Sequence, residues 1–132
     1  GIIQLKRINI FTSKRQALAK LYDSLFKDND YIQPLVRDYN NIVPHIYVVR
    51  IKGLVKKIEL RDSMLKLNIQ TGSHYQPNHL LSLFNKSGDC PITEKVSKEL
   101  ISLPLHTSLT KKQVKFVASS LISLLNNKIF SY

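Results

Sequence analysis

The sequence predicts an α+β fold, a small sheet with helices packed on one face. Three observations carry this. An amphipathic pattern opens the chain, a β-branched and aromatic run interrupts it, and a second amphipathic pattern with a start signal closes it. Short helices and short strands lie between, too few strands for a doubly wound sheet, and there is no internal repeat, so a two-layer solution is the economical one. At 132 residues the chain is the length of one domain, 1–132, able to bury most of its apolar surface.

Residues 2–26 read as one long helix, because Leu5, Ile8, Phe11, Leu18, Leu21, Tyr22 and Leu25 recur at three- and four-residue steps while Lys6, Arg7, Lys14, Lys20 and Asp23 take other faces. The pattern starts without a Ser, Thr, Asp or Asn to cap it and without an initiating Met, as expected of a chain cut from something longer. "KDNDY" at 27–31 ends it. Val43 to Lys52, "VPHIYVVRIK", is the clearest strand and stops at Gly53. Apolar residues at 58, 60, 64, 65 and 67 fit a short helix. "NIQTGSHY" reads as a turn, a short strand and a loop, 78–84 as a helical turn, and "KSGDCP" as loop. A short helix follows at 93–100, then a strand, "LISLPL", halted by Pro104. Thr110 and Gln113 form a capping box, Leu109 and Val114 stand in the positions of a hydrophobic staple, and Val114, Val117, Leu121, Leu124 and Leu125 give the stripe of the last helix.

Twenty Lys and Arg against nine Asp and Glu give a net charge of +11, which favours an anionic partner. The basic residues come in scattered pairs, however, and none forms a run long enough for a nucleic-acid tail. Tyr31, Tyr39, Tyr47 and Tyr75 could stack on bases, but no ribonucleoprotein-type strand motif occurs, and Tyr47 alternates with Val49 and Ile51 as a core residue does. A stand-alone basic module for nucleic acid or nucleotide-linked anions is the alternative reading. The single Cys90 allows no internal disulfide, which points to a reducing, cytoplasmic setting. The apolar run from Phe116, "FVASSLISLL", is too short to span a membrane.

The stretch richest in chemistry is "QTGSHYQPNH", Gln70 to His79. His74 and His79 are five apart across a proline, while His45 and His106 are distant in sequence, which is poor spacing for zinc. Ser73 and His74 are neighbours whose side chains point apart on extended chain, so they make no nucleophile–base pair. Gly-rich phosphate loops are absent. Self-contained catalysis and a metal centre both lack a motif, and no catalytic residue is assigned.

"QLKRI" and "RQALAKLYDSL" (4–25), "PHIYVVRI" (44–51), "RDSMLKLNIQTGSHYQPNHL" (61–80) and "CPITEKVSKELISLPLHTSLT" (90–110), in that order, resemble the C-terminal part of the DegT–StrS family. These are pyridoxal-phosphate-dependent aminotransferases that act on keto sugars attached to nucleoside diphosphates, as in cell-surface polysaccharide and amino-sugar synthesis. The resemblance covers essentially the whole chain. It implies a long connecting helix (1–28) and a small domain (29–132) whose three-stranded, mainly antiparallel sheet is packed by helices. It also implies that a large cofactor-binding domain lies outside this chain, as a missing half or a second subunit, and that homodimers are possible. Pyridoxal phosphate would then belong to the parent protein, since the motifs for the Schiff-base lysine and phosphate cup are not matched here. His74 and Tyr75 become the expected contacts to a sugar nucleotide, and His79 an expected support of the loop. His45 and Arg50, placed in the strand, are expected to pack at a domain interface. "GLVKKIEL" (53–60) departs from the family's short link as an insertion would.

Overall fold

The computed structural model describes residues 2–84 and 89–127. In chain order the elements are α1 (Ile2–Lys6), α2 (Ile8–Phe26), β1 (Ile32–Pro34), β2 (Tyr47–Ile51) and α3 (Lys57–Lys66). Two 3-10 turns follow (Asn78–Leu80 and Ser82–Phe84), then α4 (Pro91–Glu99), β3 (Leu100–Leu103) and α5 (Lys111–Asn126). The three strands form one antiparallel sheet in the order β1-β2-β3. The α+β expectation holds. Residues 86–88 of the loop read from "KSGDCP" lie outside the described residues.

The opening helix is broken. Arg7 leaves helical geometry, its N–H donating to the Gln4 carbonyl in a tightened turn, and α2 restarts at Ile8. Only the second half of the predicted stripe is covered by this chain. Leu18, Ala19, Tyr22 and Phe26 are buried, whereas Ile2, Ile3, Leu5, Ile8 and Ile10 are exposed. Tyr22 stacks on Tyr47, ring centroids 4.6 Å apart, and donates its hydroxyl to the Pro104 carbonyl at 3.1 Å. Burial of rings of this size contributes on the order of 2–3 kcal/mol each.

The sequence placed one strand wrongly. Residues 68–75 form no strand, only a bridge in which Gly72 and Ser102 exchange backbone bonds at 2.9 Å. The third strand is β1, three residues ending in Pro34, with Ile32 opposite Ile51. Proline is tolerated there because β1 is an edge, where one row of N–H groups faces away from the ladder. β2 is central and shorter than its sequence run, so His45 lies ahead of the strand rather than in it. Tyr47, Val49 and Ile51 point into the core, against Ile101 and Leu103 of β3.

α3 buries Leu60 and Met64, while Ile58, Leu65 and Leu67 face outward, so fewer of its apolar residues reach the core than their spacing implied. It ends in a Schellman motif: Asn68 adopts φ 59°, its N–H donates to Leu65, and the Ile69 N–H donates to Met64. That reversal drives Ile69 into the core and launches the extended segment that carries His74. At the far end, Thr110 and Gln113 make the predicted capping box on α5, which buries Val114, Val117, Ala118, Leu121 and Leu125 against α2 and α3.

Candidate functional site

The segment 71–75 is held from three sides. Its backbone pairs with β3 at Ser102, and the hydroxyl of that same serine lies 2.8 Å from His74 Nδ1. Gly72 makes this geometry possible: a Cβ there would come within 2.5 Å of His74 Cε1, so the imidazole rests on the glycine. From α3, Lys57 Nζ donates to Ser73 Oγ at 2.8 Å and to the Ser97 carbonyl of α4 at 2.9 Å. Burial, and then the positive charge of Arg61, hold the Lys57 ammonium below the usual lysine range. Arg61 adds a bond to the Thr71 carbonyl at 3.3 Å. Ser73 and His74 thus take separate partners.

His74 faces a cleft of about 900 Å³ at one end of the sheet. His45 and His106 line the same cleft, with Gln70, Gln113 and Phe116. The convergence follows from the strand register. Tyr47 is opposite Leu103 in an antiparallel pair, so the residues just before β2 and just after β3 leave the sheet at the same end. His106 was missed as a site residue because it is remote in sequence from the "TGSHY" stretch. The signal that could have found it was the pairing of "IYVVRI" with "LISL".

The remaining candidates separate. Tyr75 stands edge-on to His74, ring centroids 5.0 Å apart, but is 74% exposed and lies outside the cleft lining. His79 Nε2 lies 3.1 Å from Glu94 Oε1, which links its turn to α4. Arg50 Nε donates to Glu99 Oε2 at 2.6 Å. Burial of Glu99 opposes its ionisation, yet the Arg50 bond, the Gly53 N–H and the charges of Arg50 and Lys95 outweigh it and hold the carboxyl below its ordinary value. Among the described residues no group of three or more His, Cys, Asp and Glu could hold a metal ion, and no helix is long and apolar enough to cross a membrane.

With the geometry in hand, comparison with known proteins decides the kinship. The DegT/DnrJ/EryC1/StrS aminotransferase family model matches residues 1–122. The chain belongs to this family. A UDP-4-amino-4,6-dideoxy-N-acetyl-beta-L-altrosamine transaminase of Campylobacter jejuni is 30% identical over 131 residues, covering 95% of the chain and 35% of that protein. A dTDP-4-dehydro-2,3,6-trideoxy-D-glucose 4-aminotransferase of Saccharopolyspora spinosa is 27% identical over 120 residues, covering 89% and 31%. Among solved structures, Helicobacter pylori PseC, an aminotransferase involved in the biosynthesis of pseudoaminic acid, superposes with a TM-score of 0.86 at 28% identity, covering 96% of the chain and 36% of PseC. The chain spans about a third of the length of the curated relatives it matches.

Pyridoxal phosphate, on which such aminotransferases depend, requires an imine-forming lysine, an acidic partner for the pyridine nitrogen and a phosphate cup. Among the described residues no lysine and no carboxylate lines the cleft, and Lys57 is engaged with Ser73 and Ser97. The residues at this site do not fit that group.

Proposed function

We propose that the chain is the C-terminal part of a pyridoxal-phosphate-dependent aminotransferase acting on a nucleotide-linked keto sugar, and that its 71–75 segment contacts the substrate. On this reading residues 1–28 connect to a larger cofactor-binding part and 29–132 form the small domain that covers its active site. The observation that carries it is the fastening of His74: ring against Gly72, Nδ1 on Ser102, and the neighbouring Ser73 gripped by Lys57. A side chain fixed this way offers its remaining nitrogen in a defined direction, as substrate recognition requires. Tyr75 supplies a phenol on the same segment, and His79 supports the loop through Glu94. The exposed Ile2, Ile3, Leu5, Ile8 and Ile10 accord with a surface that the larger part covers. The cofactor, with the lysine that binds it, belongs to that larger part, and a cytoplasmic setting accords with the free Cys90.

Two measurements test this. Titration of the chain with a nucleotide sugar and with a random oligonucleotide at two salt concentrations should give binding to the first with little salt dependence. Steeply salt-dependent oligonucleotide binding would instead favour the reading that the +11 charge supports, a nucleic-acid module. Incubation with pyridoxal phosphate and borohydride should label no lysine of this chain at a specific site; a stoichiometric adduct would overturn the assignment of the cofactor to the larger part.

A further inference from the structure

The cleft that His74 faces has a property the charge of the molecule does not foreshadow. In a chain of net charge +11, no Lys, Arg, Asp or Glu among the described residues lines it. Three of the four histidines do, each from a different segment: His45 ahead of β2, His74 between α3 and α4, and His106 after β3. Gln70 and Gln113 complete the polar lining, while Leu103, Leu105 and Val117 supply apolar wall and Phe116 is half exposed.

Resting on the reading above, we propose that His45 and His106, with Gln70 and Gln113, form a polar subsite that receives the sugar ring of the ligand, its phosphates lying outside the cleft. The chemistry of the lining sets this choice. Phosphate oxygens only accept hydrogen bonds and are met by arginine and lysine, and neither occurs among the described residues that line the cleft. A sugar hydroxyl both donates and accepts, and so do a neutral imidazole and a carboxamide. His74 has Nδ1 committed to Ser102, and Gln113 has Oε1 committed to Thr110, which leaves Nε2 of each for a ligand. The C–H face of a pyranose matches the apolar wall and the Phe116 ring, and the volume of about 900 Å³ is ample for such a ligand.

The test is an NMR titration of the isotopically labelled chain with UDP-N-acetylglucosamine, with uridine diphosphate and with free N-acetylglucosamine. The nucleotide sugar and the free sugar should shift the signals of His45, His106 and Gln113, and uridine diphosphate should not. Equal shifts from uridine diphosphate would overturn the subsite. Shifts confined to His74 and Tyr75 would overturn it too, while leaving the aminotransferase reading intact; silence at every one of these residues at millimolar probe would sink both. His45→Ala and His106→Ala, exposed positions whose loss should not unfold the chain, should each weaken nucleotide-sugar binding about three- to tenfold, the worth of one hydrogen bond. His106→Gln, which keeps a donor and an acceptor, should recover part of that loss; no weakening in either alanine variant would refute the inference.

Discussion

The half-buried carboxylate of Asp23 on α2 accepts hydrogen bonds from two tyrosines, Tyr39 Oη to Oδ2 and Tyr47 Oη to Oδ1, both at 2.6 Å. Tyr47 is fully buried and Tyr39 is 8% exposed. Burial first, and then Asp23, push both phenols well above their usual range, so each remains a donor at any ordinary pH. This junction fastens the 35–46 connection to α2, together with the Gln16 amide, which donates to the Tyr39 and Ile42 carbonyls, and it fixes where the chain delivers His45. Asp23→Ala removes two charge-assisted bonds of about 1.5–3 kcal/mol each and leaves two phenols without an acceptor. Water can enter beside the half-exposed carboxylate position and recover part of this, so the net cost should be roughly 2–4 kcal/mol, a large share of a small domain's stability. Urea denaturation at neutral pH measures it, and a double-mutant cycle with Tyr47→Phe should give a coupling of about 1–2 kcal/mol. A cost for Asp23→Ala below about 0.5 kcal/mol, or strict additivity in the cycle, would refute the reasoning.

Three further outcomes follow from named contacts. Gly72→Ala should push the His74 ring off Ser102, costing about 1–2 kcal/mol and shifting the His74 imidazole NMR signals; unchanged signals would show that the ring does not rest on the glycine. Because the folded-state carboxyl of Glu99 lies below its ordinary value of 4.5, its contribution is present at neutral pH and is lost as the pH falls through and below that value. Denaturation curves of the parent chain and Glu99→Gln should therefore differ by about 0.5–1 kcal/mol at pH 7 and converge on acidification, and a pH-independent gap would contradict the ion pair. Thr110→Ala breaks the capping box of α5 and should lower global stability by about 1 kcal/mol in a thermal melt, because α5 packs directly on α2.

Features whose physics is local were readable in the sequence. The capping box at Thr110, the β-branched core of β2 and the turn at Asn68 each depend on a few adjacent residues, and each is where the sequence placed it. β1 was invisible because three residues ending in proline carry no strand signal; they pair only because β2 offers them an edge. The break at Arg7 was equally hidden, since no glycine or proline marks it. Of the site, the sequence singled out the segment around His74 but not its surroundings. Ser102 holds that histidine from β3 and Lys57 holds the neighbouring Ser73 from α3, and only the assembled topology brings them to the segment.

The opening helices show the same distinction at the level of packing. Apolar spacing over 2–26 marks a face that avoids water, but it does not name what covers that face. From Leu18 onward the cover is α5 and the sheet, which bury Leu18, Tyr22 and Phe26 and half-bury Leu21 and Leu25. Before it, five isoleucine and leucine side chains stand exposed on α1 and the start of α2, in a chain that spans about a third of its relatives' length. A polar substitution should read the two halves differently. Leu18→Ser creates a cavity and buries a hydroxyl in the core, costing about 3 kcal/mol or more by urea denaturation. Ile3→Ser and Ile10→Ser should leave the stability of this chain within about 0.5 kcal/mol while reducing its self-association in sedimentation. Equal destabilisation by all three would mean that the exposed stripe already has its partner within the chain, and the surface proposed to meet the larger part would lose its rationale.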